Sequence, residues 1–169
     1  VEELVVESLT LMDEDGRAIL SDVSFTIHRG EVLGIAGVEG NGQAELVESI
    51  MGMRKASGAV RMGSEDIAAW PTRRRREAGI AYIPEDRSRH GLLLESPLWE
   101  NRMLGHQTQP PNSKGALIDR KGAKRDTQRI VDEYHVRTPS NDVLASALSG
   151  GNQQKLIVGR EMSSEPSVL

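Results

Sequence analysis

The first forty residues alternate between apolar and polar positions in a way that predicts strands. "LVVESLTL", residues 4–11, alternates weakly, as is typical of an edge strand. "GRAILSDVSFTIHRGE", residues 16–31, contains a second alternating run that ends at a glycine turn and has an apolar face of Val23, Phe25 and Ile27. "EVLGIAGV", residues 31–38, is almost continuously apolar, which predicts a strand buried on both faces.

Helical and extended patterns then mix up to residue 84. "QAELVESIMGM", residues 43–53, has helical spacing and an apolar stripe made of Leu46, Val47, Ile50 and Met51. Further along we expect a hairpin at 57–67, a short helix at 71–79 and a buried strand at 80–84. The four arginines at 73–76 are interpreted as a solvated helix face rather than as an anion-binding patch.

From about residue 86 the pattern is mainly helical. "SPLWENRMLG" at 96–105 and "DRKGAKRDTQRIVDEYHV" at 119–136 predict two helices, joined by a polar loop with two prolines. The second is expected to be capped by Asp119 and to face inward through Ile130, Val131 and Tyr134. "LSGGNQQKLIVGREM", residues 148–162, is a glycine turn that leads into an amphipathic helix.

Together these elements predict an α/β fold whose core is interrupted by a helical insert. The expected boundaries are a core at 1–85, a helical subdomain at 86–148 and a return to the core at 149–169. "PSVL" at the end is typical of a strand that has barely begun, so the chain looks truncated.

Composition narrows the classes of function. A net charge of -4 gives no indication of a nucleic-acid partner, and the absence of cysteine excludes disulfides and thiolate metal sites. The four histidines lack the spacing of metal ligands, so no metal site is predicted. Trp99 is expected to anchor a core or an interface. The apolar runs are far shorter than the roughly 20 residues of a membrane span.

The stretch "GVEGNGQAEL", residues 37–46, has the glycines of a phosphate-binding loop at Gly37, Gly40 and Gly42. In such a loop, backbone N–H groups and the start of the next helix bind an anion. The expected Lys is Gln43 and the expected Ser or Thr is Ala44, so the charge and the Mg²⁺-binding hydroxyl are missing. A tight strand-to-helix turn without a ligand explains the glycines equally well. Glu39 is expected to point outward.

A second motif, "LSGGNQQK" at 148–155, opens a helix. Ser149, Gly150 and Gly151 fall at its N-terminus, where unpaired N–H groups and the helix dipole favour an anion. The alternative is an ordinary Ser-Gly-Gly helix cap.

The ordered set of motifs resembles the ATP-binding cassette (ABC) ATPases over nearly the whole chain. "LSGGNQQK" is similar to their signature motif, in the variant with Asn before the glutamines. "GIAYIPEDRSRHGLLLESPLWEN", with "PEDR" at 84–87, resembles the Q-loop region of the sugar and nucleoside importer branch. The glycine-rich stretch is similar to the degenerate second cassette of such importers. The resemblance implies a P-loop cassette core with a β-rich N-terminal part and a helical subdomain insert, truncated before the Walker B strand.

By this resemblance the chain has two half-sites. One is a signature motif that closes over the γ-phosphate of ATP held by a second cassette, in the same chain or a dimer mate, through Ser149, Gly150, Gly151, Asn152 and Gln153. The other is its own weak or inactive nucleotide site, formed by Gly37, Gly40, Asn41, Gly42, Gln43, Ala44 and Glu85.

The implied setting is a transporter of simple sugars or nucleosides. ATP and Mg²⁺ are expected in the assembled transporter, with none certain for this chain alone. Residues 86–148 would dock on transmembrane permease subunits, which puts the protein at the cytoplasmic face of the membrane, and the isolated chain is expected to hydrolyse negligible ATP.

Several departures from a complete cassette weaken the chain's own site. Residues 8–20 contain no aromatic side chain to stack on adenine, and Glu85 replaces a Gln. The Mg²⁺-binding Asp, its following Glu and the switch His would follow Leu169, so no catalytic residue is named. A non-enzymatic interaction module of cassette fold explains the missing groups equally well, but not an intact signature. A GTP-binding switch is disfavoured because no Asn-Lys-x-Asp segment is present.

Overall fold

The computed structural model describes residues 1–38 and 40–169, so the prediction for Glu39 lies outside the described residues. The chain divides into two compact units. The first comprises Val1–Ala78 with Val168, and the second comprises Gly79–Ser167 with Leu169.

The first unit is built on a four-stranded antiparallel sheet in the order β2-β1-β3-β4. Its strands are β1 (Glu2–Met12), β2 (Ala18–His28), β3 (Ser57–Met62) and β4 (Glu65–Asp66). The predicted hairpin at 57–67 is confirmed by β3 and β4. The prediction that the first strand is an edge strand is wrong: Val6 of β1 pairs with Phe25 on one side and Val60 on the other.

The apolar run at 31–38 does not form the predicted buried strand. No described residue in this stretch is assigned to a strand, and Val32 and Ile35 are 94% and 51% exposed. A strand buried on both faces needs hydrogen-bonded neighbours at its edges, and no described strand pairs with this segment. Residues 81–84 likewise form no strand, although Ile80 and Ala81 are buried as predicted.

Two helices complete the first unit. In α1 (Gln43–Ile50) the predicted apolar stripe faces the interior, since Leu46, Ile50 and the following Met51 are buried. In α2 (Thr72–Glu77) the interpretation of the arginines as a solvated face is wrong for Arg75, which is buried.

The second unit contains three main helices: α3 (Leu98–Met103), α4 (Arg120–Glu133) and α5 (Gly150–Met162). A two-stranded hairpin of β5 (Ser113–Lys114) and β6 (Leu117–Ile118), absent from the sequence prediction, precedes α4. The core between the helices includes Leu98, Ile130, Val131, Leu156 and Ile157.

Three predictions about this unit are confirmed. The Asp119 carboxylate accepts a hydrogen bond from the Gly122 N–H at 3.0 Å, which caps α4. That bond and the nearby Lys114 ammonium hold the pKa of Asp119 below its usual range. Trp99 packs in a core with Met103 and Ala123, and Tyr134 packs against the main core.

α4 and α5 approach closely at a glycine. A Cβ added at Gly159 would lie 2.6 Å from Cγ2 of Ile130 and 2.9 Å from Cδ2 of Tyr134. The close packing of these helices therefore depends on the absence of a side chain at Gly159. Among the described residues, no helix is long and apolar enough to cross a lipid bilayer.

Candidate functional site

The glycine loop, which the structure describes at residues 37, 38 and 40–44, lies in the first unit and leads directly into α1. Gly40 and Gly42 have positive φ values of 86° and 96°, which glycine adopts readily. Gly42 is also buried, and a Cβ there would lie 3.0 Å from Cδ2 of Leu20 and 3.3 Å from the Ile19 carbonyl oxygen. Glycine is therefore required at this position both by the backbone conformation and by its surroundings.

Gln43 folds back across the glycine loop. Its Nε2 donates a hydrogen bond to the Val38 carbonyl at 3.1 Å, and a Cβ at Gly37 would collide with the same Nε2. The side-chain amide thus takes part in the structure of the loop and brings no charge to it. Among the backbone groups, the Asn41 N–H already donates to the Val38 carbonyl at 3.2 Å.

The start of α1 offers an anion only part of what a phosphate site needs. The N-cap residue is Gly42, and no side chain among the described residues caps the helix, so its first N–H groups and its dipole can act on a ligand. Ala44 is exposed and has no hydroxyl for Mg²⁺. Glu45, which sequence analysis did not consider, places a carboxylate in the first turn. The described residues of the glycine loop thus offer helix-start N–H groups to a phosphate but no hydroxyl at position 44 for Mg²⁺.

The segment at 84–87 belongs to the second unit. Glu85 is exposed, whereas Asp86 caps a short π-helical turn, Arg87–Gly91, by accepting hydrogen bonds from the Ser88 and Arg89 N–H groups at 3.0 and 3.1 Å. Asp86 therefore orders this turn, and Glu85 is the carboxylate that remains open to solvent.

The signature face (residues 149–153) forms the first turn of α5. Ser149 is the N-cap residue and is exposed, but its side chain does not cap the helix. Its hydroxyl instead accepts a hydrogen bond from Asn152 Nδ2 at 3.0 Å. Gly151 is exposed, with no atom within 4 Å of a Cβ built on it. An uncapped, open helix start of this kind suits a bound anion.

Neighbouring contacts fix the signature face in place. Asn152 Oδ1 accepts a hydrogen bond from the Arg137 N–H at 2.9 Å. Gln153 is buried and donates from Nε2 to the Ala145 carbonyl at 3.1 Å, so its side chain serves the fold and only its backbone faces the turn. Lys155 Nζ donates to the His135 carbonyl at 3.1 Å.

Two charged residues at the C-terminal end of α5 hydrogen-bond to the segment that carries Glu85. Neither was predicted from the sequence. Glu161 is fully buried, and its Oε2 accepts a hydrogen bond from the Tyr82 N–H at 3.1 Å. Arg160 lies 2.7 Å from Glu161 Oε1 and donates to the Gly91 carbonyl at 2.9 Å. Adjacent opposite charges on one helix carry no local pattern that reveals burial, so this pair could not be predicted from the sequence.

Comparisons with known proteins point to one family. The sequence model of the family described as "ABC transporter" matches residues 20–169. The chain is 40% identical over 169 residues to the guanosine import ATP-binding protein NupO of Bacillus subtilis, covering 99% of this chain and 33% of that protein. It is 36% identical over 167 residues to the nucleoside import ATP-binding protein NupA of Lactococcus lactis, covering 98% and 33%.

A third relative is the galactose/methyl galactoside import ATP-binding protein MglA of Vibrio vulnificus, 34% identical over 167 residues, which cover 98% of this chain and 32% of that protein. The chain thus spans about a third of the length of these relatives.

Solved structures show the same fold. The ADP conformation of MJ1267, an ATP-binding cassette of an ABC transporter, is similar with a TM-score of 0.70 and 23% identity, covering 98% of this chain and 66% of that one. The dimeric structure of MJ0796, a bacterial ABC transporter cassette, gives a TM-score of 0.74 and 20% identity, covering 96% and 70%. The predicted cassette fold, with a β-rich N-terminal part and helices, is confirmed.

Proposed function

The chain belongs to the ABC transporter family, and from this premise we propose that it is part of the second, degenerate cassette of an importer for simple sugars or nucleosides. The relatives named for guanosine, nucleoside and galactose import support this substrate class. The missing Lys and Ser/Thr in the glycine loop support the assignment to a degenerate cassette.

The role of this half is to supply the signature face to an ATP site whose phosphate loop belongs to the partner cassette. The observation that carries the proposal is the uncapped first turn of α5, with Ser149 and Gly151 exposed. Backbone N–H groups at a helix start, aided by the helix dipole, stabilise phosphate charge without any charged side chain. Asn152 orients the Ser149 hydroxyl by donating to it.

The chain's own glycine loop forms a second site that is weak or inactive. Gln43 is uncharged and already bonded to the Val38 carbonyl, and Glu45 opposes phosphate in the first turn of α1. Because charge-assisted hydrogen bonds are about twice as strong as neutral ones, replacing Lys by Gln removes a large part of the phosphate affinity.

ATP and Mg²⁺ would therefore be held mainly by the partner cassette, where Mg²⁺ would supply positive charge to the phosphates. The residues of this chain bind and orient the γ-phosphate from the opposite side and exclude water. Residues 86–148 would dock on the permease subunits at the cytoplasmic face of the membrane. Within them, Leu117 and Ile118 of β6 are 76% and 58% exposed and are available for such a contact.

The test is ATP hydrolysis by the full-length protein, assembled with its permease subunits, after the substitution Gly151→Asp. The new carboxylate would repel the γ-phosphate, so hydrolysis should collapse, whereas Gln43→Ala in the degenerate loop should leave it intact. Ser64→Asp adds the same charge in the exposed β3–β4 turn and serves as the matched control. Unchanged turnover in Gly151→Asp would refute the proposal and favour an interaction module without a nucleotide.

A further inference from the structure

Arg87, at the start of the π-helical turn, places its guanidinium against the first residue of α5. A Cβ added at Gly150 would lie 2.6 Å from Nη2 and 3.3 Å from Cζ of Arg87. Real Cβ atoms do not approach other atoms so closely, so in this structure the guanidinium occupies the space of a Cβ at position 150. Glycine at 150 thus admits a cation to the signature face.

This guanidinium has no protein acceptor among the described residues. Nε of Arg87 is buried without a hydrogen-bond partner, and no ion pair of Arg87 occurs in the part of the chain that the structure describes. The neighbouring Asp86 carboxylate accepts from the Ser88 and Arg89 N–H groups through Oδ1.

The position of Arg87 is electrostatically unfavourable without an anion. The N-terminus of a helix carries about half a positive charge, so a cation beside it is repelled. A buried donor without an acceptor adds a desolvation cost. An anion bound at the start of α5 would remove both penalties, because it attracts the guanidinium and the helix N-terminus together.

The backbone that carries Arg87 is held on either side. Before it, the Tyr82 N–H donates a hydrogen bond to the Glu161 carboxylate. After it, the Gly91 carbonyl accepts a hydrogen bond from the Arg160 guanidinium. Gly91 also packs on α5, since a Cβ there would lie 2.8 Å from Cδ1 of Ile157. The segment that carries Arg87 is therefore held against α5, the same helix whose first turn the guanidinium contacts.

We propose that Arg87 binds the γ-phosphate at the signature face, adding one positive charge to a surface otherwise made of neutral N–H and hydroxyl groups. This inference rests on the proposed function, because the phosphate is the one held by the partner cassette. Arg87 acts there as a phosphate-contacting residue that the glycine at 150 makes room for.

The experiment compares Arg87→Gln, Arg87→Lys and Arg89→Gln in the full-length protein with its permease subunits. Arg89 is exposed in the same turn and supplies the matched loss of charge. We expect Arg87→Gln to lower kcat/KM for ATP by about 100- to 1,000-fold, in the range seen when one donor to a developing negative charge is lost. Arg87→Lys should recover part of the loss, since it keeps the charge without the planar fork, and Arg89→Gln should have no effect.

A second readout separates phosphate binding from a purely structural role. The affinity for a slowly hydrolysed ATP analogue should fall in Arg87→Gln and weaken less with rising salt than in the unaltered protein, because one charge contact is gone. If Arg87→Gln changes thermal stability but neither kcat/KM nor this affinity, Arg87 only supports the helix and the inference is overturned.

Gly151→Asp separates a failure of the role of Arg87 from a failure of the proposed function. If that variant abolishes hydrolysis while Arg87→Gln leaves kcat/KM unchanged, the inference fails and the proposed function stands. If Gly151→Asp has no effect, the proposed function fails, and with it the assignment of Arg87 to a phosphate.

Discussion

Four consecutive arginines in α2 share one sequence context but differ in their surroundings. Arg73 is exposed, and the guanidinium of Arg74 lies 3.8 Å from the ring centroid of Trp70. Arg75 is buried and donates to four backbone carbonyl oxygens, those of Ser49, Ile50, Ala68 and Trp70. Its burial lowers the pKa of the guanidinium, an effect opposed by the carboxylate of Asp66.

Arg75→Ala should destabilise the first unit by about 2–4 kcal/mol, because the carbonyls lose their donor while they remain buried. Arg73→Ala, on the exposed face of the same helix, should change the free energy of unfolding by less than about 0.5 kcal/mol. Urea unfolding followed by tryptophan fluorescence measures both. Equal midpoints for the two variants would contradict the structural role of Arg75.

At the scale of elements, helix propensity and packing against α4 favour different residues at position 159 of α5. Helix propensity disfavours the glycine at 159 by about 1 kcal/mol relative to Ala. The close approach of α4 requires it, since Ile130 and Tyr134 occupy the space of a Cβ. The packing of the two helices therefore outweighs the preference of one helix alone.

Gly159→Ala is expected to lower the free energy of unfolding of the second unit by about 1–3 kcal/mol through overpacking. Gly151→Ala in the same helix meets no atom within 4 Å, so it should be neutral or stabilising by up to about 1 kcal/mol. Thermal unfolding of the two variants by circular dichroism gives the comparison. A higher Tm for Gly159→Ala than for the unaltered chain would show that the helices can separate at no cost.

At the scale of the whole molecule, the proposed function gives the chain two incomplete half-sites rather than one complete site. The glycine loop has Gln43 and Ala44 where a phosphate loop has Lys and Ser or Thr, and in the proposal the signature face completes a site in a second cassette. Catalysis of phosphoryl transfer rests on positioning and on charge stabilisation by several groups at once.

The purified chain of 169 residues should therefore show negligible ATP hydrolysis, because neither half-site supplies both the phosphate loop charge and the metal ligand. Phosphate release at saturating ATP and Mg²⁺ is the measurement. As a control for a folded preparation, circular dichroism should report the helix and strand content of a folded cassette. Measurable turnover by the folded chain would disprove the assignment of a degenerate loop.

The sequence by itself determined those features that depend on neighbouring residues. The spacing of apolar residues placed α1, α4 and α5, and the Asp119 cap marked the start of α4, because helices are stabilised by contacts three and four residues apart. The ordered motifs identified the family, and they predicted the residues of both half-sites.

Only the tertiary structure decided the features that depend on distant residues. It placed β1 between two strands, left 31–38 without a described strand partner, buried Arg75 and brought Arg87 to Gly150. Burial, strand order and the approach of a guanidinium to a helix depend on which segments meet in space. Periodicity reports the face that a segment must bury but not the partner that buries it.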